Sequence, residues 1–422
     1  MSELEGRLAA AIDDISLVDS HEHYLTEENH VGDGATFFKF LHYCDCDMTS
    51  AGMPWDVRFA MRESGNMSAD EQWAVFGPYW EAIRLTGYGQ ALKIMAEDLF
   101  GAEIGEENLQ TLNDNAGSFA KPGYFKTLLR ERSNIATAMR IVWPFSPTHC
   151  DGDYLHPVPV FDHYATVRSR NDIERLEEDS GVTTYDFADL LRALDTKFEL
   201  MSKQGMVGVK IFLAYKRILR FEQVARSEAE TLFLRCTQAF GDTSLGFEET
   251  KPLQDYMVHQ IIRRAMDLGV PIQIHTGYQN DNANFVANSR PSHLANLFVA
   301  YPSAKFCPLH GGSPYTGEFI TSAKVFPNVY PDLAWCYIIS PRRTKALLHE
   351  LLDTVPANKI LAFGGDYNFP EGSYAHAKMA RRVMCEVLSE KVTHGDLSED
   401  EAVKTAQLLF HDNAARLYGL DV

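Results

Sequence analysis

The stretch "ISLVDSHEHYL" (residues 15–25) passes from an apolar run straight into Asp19, Ser20, His21, Glu22 and His23. Residues 15–19 read as a buried strand. Side chains at i and i+2 of a strand project from one face, so His21 and His23 at its end can aim both imidazoles at one point. That arrangement suits a metal ion. It equally suits two polar residues opening a loop, in a chain with 15 histidines. The remaining strand ends have to decide between the two.

Working outward, short apolar runs recur at 135–143, 156–161, 206–212, 270–275, 304–309, 329–333 and 360–364, which with 15–19 makes eight predicted strands. Helix-like stretches separate them, at 185–205, 253–269, 289–302 and 340–356. Several begin after Ser, Thr or Asp and stop before Gly or Pro, as helix ends do. Alternating strands and helices imply a parallel sheet, and eight repeats imply a closed α/β barrel, the (β/α)₈ TIM barrel. A doubly wound open sheet is the alternative, because closure leaves no mark in sequence. At 422 residues the chain reads as one barrel domain, 1–422, carrying an insertion. The insertion is predicted over about 30–133, far longer than a βα loop requires. Its segment 69–101 has helical periodicity, an aromatic face, and Pro78 and Gly87 as interruptions. Starting beside the His-x-His, it is predicted to cap the barrel mouth. A second excursion, 216–240, also reads as helix.

Composition narrows the function. With 39 basic against 58 acidic residues the formal charge is −19, which opposes non-specific binding to nucleic acid or to an anionic membrane. The chain is 45% hydrophobic and 11% aromatic, enough for a large core. No run of about 18 apolar residues occurs, and "MSELEGRLAAAIDD" has no secretory pattern. Seven cysteines form no C-x-x-C pair, and Cys44-Asp45-Cys46 has no second ligand pair at zinc-finger spacing. Free thiols and a cytoplasmic location are expected, with a small-molecule substrate as partner; self-association stays open.

The strand ends answer the opening question. The fifth strand stops at His275 ("PIQIHTG"), the sixth at His310 ("CPLHGG") and the eighth just before Asp366 ("LAFGGD"), while Lys210 sits within the fourth ("GVKIF"). Taken singly, each has an ordinary explanation: a hydrogen-bonded core histidine, a helix cap, a lysine reaching the rim. Together they fall at the C-terminal strand ends, where barrel active sites assemble. This order resembles the amidohydrolase superfamily of metal-dependent barrel enzymes, from "DSHEH" through "VKI", "IHTG", "LHGG" and "FGGD" to the closing "LLFHDNAARLYGL" (408–420). The long insertion leans toward its uronate isomerase side.

The resemblance implies one or two divalent metals, zinc first, held by His21, His23 and Asp366, then by His275 and His310. Lys210 would join them if carboxylated to a bridging carbamate. Asp366 would also serve as general acid/base, with His310 as a second such group. Arg84 and Tyr88 from the insertion, with Tyr215, Tyr278, Trp335 and Tyr337 at the strand ends, are expected to shape the substrate pocket, and Arg84 to grip an anionic group. The first expectation is hydrolysis of a C–N or C–O bond, in an amide, lactone or ester. The alternative is a lyase or a uronate-isomerase-like enzyme on the same scaffold. Two metals would favour the former and one the latter.

Overall fold

The structure, a computed structural model, describes residues 2–32, 36–62, 67–118, 121–146, 150 and 152–422. Its strands are β1 (Leu17–Glu22), β2 (Ile135–Val142), β3 (Leu155–Pro159), β4 (Val209–Ile211), β5 (Ile272–Ile274) and β6 (Phe306–Pro308). β1, β2 and β3 form one parallel sheet in that order, and β4, β5 and β6 a second. A parallel bridge between Val160 and Lys210 joins them. The predicted seventh and eighth strands appear as bridges, Phe306 with Val329 and Asp332 with Leu361. On the far side Ser20 N–H donates to Phe363 O at 3.1 Å, setting 361–367 beside β1. All eight predicted segments thus lie in the α/β layer, but the last two and β4 to β6 are shorter than their apolar runs. Their ends leave the ladder for tight turns, Leu213–Tyr215 and His310–Gly312 among them.

Helices lie where the caps announced them. Asp186 and Asp189 form a reciprocal capping box at the start of Phe187–Lys203, satisfying amides the helix cannot. Pro341 and Pro370 open Pro341–Thr354 and Pro370–His394, positions where a missing N–H costs nothing. The excursion at 216–240 differs from its reading. Only Arg226–Cys236 is helical there. Residues before it are held irregular by buried Arg217, which donates to Arg220 O at 2.8 Å and to Gln254 Oε1 at 3.0 Å, and pairs with Asp255 at 2.6 Å.

The insertion is helical, though 33–35, 63–66 and 119–120 lie outside the described residues. Pro78 interrupts nothing: it sits inside Ala69–Ile83. The break falls at Gly87, where a Cβ would stand 2.0 Å from Ile338 O, so only glycine lets Gly87–Asp98 begin there. Phe37, Phe40, Phe76 and Phe100 bury together, with ring centroids 4.9 Å apart for Phe40 and Phe100. The aromatic face therefore packs an insertion core. The segment nearest the strand ends is instead 42–58: Tyr43 OH donates to Asp366 O, Asn282 Nδ2 to Cys46 O at 3.2 Å, and Arg58 pairs with Asp281 at 2.7 Å.

Arg381, on Pro370–His394, ties the base of the sheet together. Its guanidinium is buried and donates to Ile12 O, to Ile15 O at 2.9 Å, and to Ser133 O at 3.4 Å. These are the carbonyls at the end of Glu3–Asp13 and at the entries to β1 and β2. Arg381→Met would strip the Ile15 and Ser133 carbonyls of this donor and leave Ile12 O only the Ile15 N–H, and should cost about 2–4 kcal/mol in denaturant unfolding. A loss below about 0.5 kcal/mol, the scale of an ordinary surface change, would mean that packing alone holds this corner.

Candidate functional site

At the C-terminal strand ends three predicted residues meet. His23 Nε2 lies 3.1 Å and His21 Nε2 3.6 Å from Asp366 Oδ1, and one donor atom from each of the three falls within 4.8 Å of the others. β1 supplies the histidines. Asp366 is delivered by "GGD", whose Gly365 is packed so closely that a Cβ would meet Glu22 Oε1 at 1.9 Å. Asp366 itself adopts φ +60°, outside the comfortable range of a non-glycine residue.

The tautomer of His21 follows from its neighbour. Gln273 donates through Nε2 to both Ser20 O and Tyr418 OH, each at 2.7 Å, so its Oε1 faces His21 Nδ1 at 2.6 Å as acceptor. The proton of His21 therefore sits on Nδ1. Nε2 is left as a lone pair, fully buried and without a hydrogen-bond partner. Burial, then the Lys210 charge, holds this imidazole well below its ordinary pKa and hence neutral. Burial pushes the Asp366 carboxyl up, but His21, His23 and His310 together outweigh it and hold it well below the carboxylate range. A lone-pair imidazole, a second imidazole and a carboxylate converge on one point, the donor set a divalent cation requires.

His275 and His310 form a separate pair, with His310 Nε2 3.0 Å from His275 Nδ1. His310 Nδ1 faces Ala334 O at 3.0 Å and His275 Nε2 faces Tyr278 O at 2.8 Å, so both outer nitrogens act as donors. Two neutral rings then turn lone pairs toward each other. One additional proton between them would satisfy every nitrogen. Burial lowers the pKa of both rings, to about 4 for His310, so both are neutral and the facing nitrogens share no proton. His310 Nδ1 also lies 3.5 Å from Asp366 Oδ2, joining the pair to the first cluster.

Lys210 is fully buried. Its Nζ lies 4.2 Å from the Phe212 ring centroid and has no hydrogen-bond partner; burial pushes its pKa down to about 7. Trp335 and Tyr215 line the cavity, of about 660 Å³, that opens over His23, His275 and Asp366. Tyr215 OH accepts the Asn280 N–H at 3.0 Å.

Four other expected residues stand elsewhere. Tyr88 stacks on Tyr43 with centroids 5.0 Å apart, and with Tyr278 it lines a neighbouring groove behind Trp335. Tyr278 serves the cavity through its carbonyl. Tyr337 is a core residue whose OH donates to Ala362 O at 2.8 Å. Arg84 is not brought to the cavity: its side chain is 48% exposed and paired with Glu81, three residues earlier. Helical periodicity places a residue on a face but leaves open which way that face turns.

Sequence reasoning passed over Tyr43, Trp143, Asp162, Lys216 and Asn280, which also line the cavity. Trp143 stacks on Phe212 at 4.6 Å and on His23 at 5.6 Å. Its place at the end of the second apolar run was the available signal. Tyr43 carried none.

A profile of the family described as Amidohydrolase matches residues 193–420, more than half of the chain. Among curated proteins, Protein fluG of Emericella nidulans is 29% identical over 232 residues, 53% of this chain but 27% of fluG. The chain thus spans about a quarter of that relative. The uronate isomerase of Nostoc punctiforme is 21% identical over 419 residues, covering 90% of this chain and 86% of that protein. Among solved structures, uronate isomerase from Thermotoga maritima superposes with a TM-score of 0.82 at 17% identity, over 99% of this chain and 98% of that one. At that identity the likeness establishes a shared fold. With the profile covering β4 to the C-terminal turn, the chain belongs to the amidohydrolase family.

Proposed function

We propose that the α/β fold is a closed (β/α)₈ barrel, one domain roofed by the insertion, and that it is a mononuclear metal enzyme isomerising a uronate-like sugar acid. The observation that carries this reading is the single three-residue ligand group, His21, His23 and Asp366, found among the described residues. His275 and His310 spend their inner nitrogens on each other, and Lys210 lies against Phe212, so a second ligand set is not assembled around them. The full-length fold match to a uronate isomerase supports the same choice.

A divalent cation at this group, zinc first, would polarise a substrate carbonyl. The chain's own residues account for the proton movements. Isomerisation of an aldose to a ketose moves one proton from the carbon beside the carbonyl to the carbonyl carbon, and one hydroxyl proton between oxygens. Water is neither consumed nor released. The His275–His310 pair, lacking its third proton, is placed to accept one. Tyr215, whose oxygen accepts from Asn280, keeps its own O–H to donate into the cavity. Trp335, edge-on to His310 with centroids 5.3 Å apart, closes one wall against water.

Hydrolysis of an amide, lactone or ester is the second reading. It is favoured by the contact between the Asp366 carboxylate and His310, a pair able to take a proton from water and return it to a leaving group. Incubating the metal-loaded protein with D-glucuronate or D-galacturonate in D₂O distinguishes the two. Isomerisation yields a ketose with no acid or amine released, bearing deuterium on the former carbonyl carbon where the moving proton exchanges with solvent and protium where it is passed internally. Turnover of lactones or amides alone would put hydrolysis first.

The ligand assignment has its own measurement. Elemental analysis should find one metal per chain, lost in His21→Ala and in Asp366→Asn while far-UV circular dichroism is retained, because ligands at a barrel mouth are not its core. Lys210→Ala should keep that metal. Two equivalents, with loss on Lys210→Ala, would point instead to a carboxylated lysine and a binuclear hydrolytic centre.

A further inference from the structure

The metal cavity does not end at the β3 and β4 strand ends. Trp143, Pro144, His163, Thr166 and Lys216 line it and equally line a second chamber of about 630 Å³. This chamber adds Arg168, Arg175, Asp172 and Glu248, with Phe145 and Phe247 as aromatic walls. Arg175 lies over the Phe145 ring at 5.0 Å and Arg168 over Phe247 at 6.0 Å. A guanidinium stacked by its face keeps its N–H edge free for an anion.

The charge balance favours such an anion. Among the described residues, the side-chain nitrogens of Arg168, Arg175 and Lys216 have no carboxylate within 4.0 Å, whereas other arginines of this acidic chain, such as Arg170, Arg192 and Arg220, are paired. Of the two acids here, Asp172 is engaged: its Oδ2 accepts the Arg168 backbone N–H at 2.9 Å and the Ser169 hydroxyl at 3.1 Å. Glu248 is exposed on the rim. His163 Nε2 is bound to Asp179 at 3.0 Å. Three cations thus face a space continuous with the cavity over His23 and Asp366, on the opposite side from those ligands in strand order.

We propose that this chamber is the subsite for the substrate's anionic group, a carboxylate or a phosphate, gripped by Lys216, Arg175 and Arg168 while the reacting carbonyl lies at the His21–His23–Asp366 end. The role foreseen for Arg84 falls to these three cations. The inference rests on the cavity being the reaction site, and extends that reading to what the substrate must carry.

The test is calorimetric binding of D-glucuronate, D-glucose 6-phosphate and neutral D-glucose, to metal-loaded and to metal-stripped protein. At least one anion should bind about 10-fold or more tighter than glucose in both forms, and more weakly as salt screens the cations. A preference for glucuronate or for the phosphate ester identifies the anion. Lys216→Met and Arg175→Met should each weaken that binding about 10-fold, the scale of one charge-assisted hydrogen bond, with metal content unchanged and Arg84→Met as a control without effect. Equal binding of glucose and both anions, no saturable anion binding, or full anion affinity in Lys216→Met/Arg175→Met would each overturn the subsite. Failure of the metal reading would show differently, as missing metal in the wild type while anion binding to the stripped protein persists.

Discussion

The site depends on how the end of β1 is laced to residues 363–368. Asp366 N–H donates to His21 O at 2.8 Å and His23 N–H to Tyr367 O at 2.9 Å, continuing the parallel pairing past the last formal strand residue. The carboxylates that interleave the histidines complete the lacing. Asp19 Oδ1 accepts Gly365 N–H at 3.1 Å, and Glu22 Oε2 accepts Tyr367 N–H at 2.7 Å. In "DSHEH" His23 therefore lines the cavity and His21 turns toward Asp366, while the two acids hold the opposing loop that brings Asp366. Desolvation raises the pKa of both acids, Asp19 to about 6, so the lacing spends solvation energy to fix the three candidate ligand atoms in place.

Much of this was readable in the chain. His21, His23, His275, His310 and Asp366 stand out because each ends an apolar run, and in a parallel α/β layer run ends share one edge. Lys210 stands out because a lysine inside an apolar strand must be buried, as it is. What was not readable depends on orientation. The polarity of Gln273 in the fifth strand gave no hint that it sets the His21 tautomer from across the sheet. Arg84 stood out in sequence, yet it caps the end of its helix at the surface, while Arg175, which sequence did not single out, lines a chamber beside the cavity; only packing shows which way each one turns.

Backbone strain is the other part sequence concealed. His310, Trp335 and Asp366 have φ of +65°, +71° and +60°, all left-handed and none glycine. Left-handed residues of this kind cost about 1–3 kcal/mol each and persist where surroundings over-determine them. Each follows one of the last three apolar runs; Trp335 and Asp366 line the cavity and His310 stands against Asp366. The end of β6 fits this: the strand closes at Pro308, two residues before the reversed φ of His310.

That strain also explains why the glycines flank these positions. At Gly277 a Cβ would approach Gly312 C at 2.4 Å, so the loops after β5 and β6 can touch only without side chains there. Their contact brings His275 and His310 to 3.0 Å with both outer nitrogens already committed to carbonyls. Neither ring can rotate to escape the other without leaving a buried carbonyl unpaired, a cost of about 1–3 kcal/mol. The pair is consequently held in the one arrangement that lacks a proton, beside a carboxylate and open to the cavity. The same small residues that let the turns pack thus set two facing imidazole nitrogens beside the candidate ligand group, and the arrangement of the cavity follows from one set of close contacts.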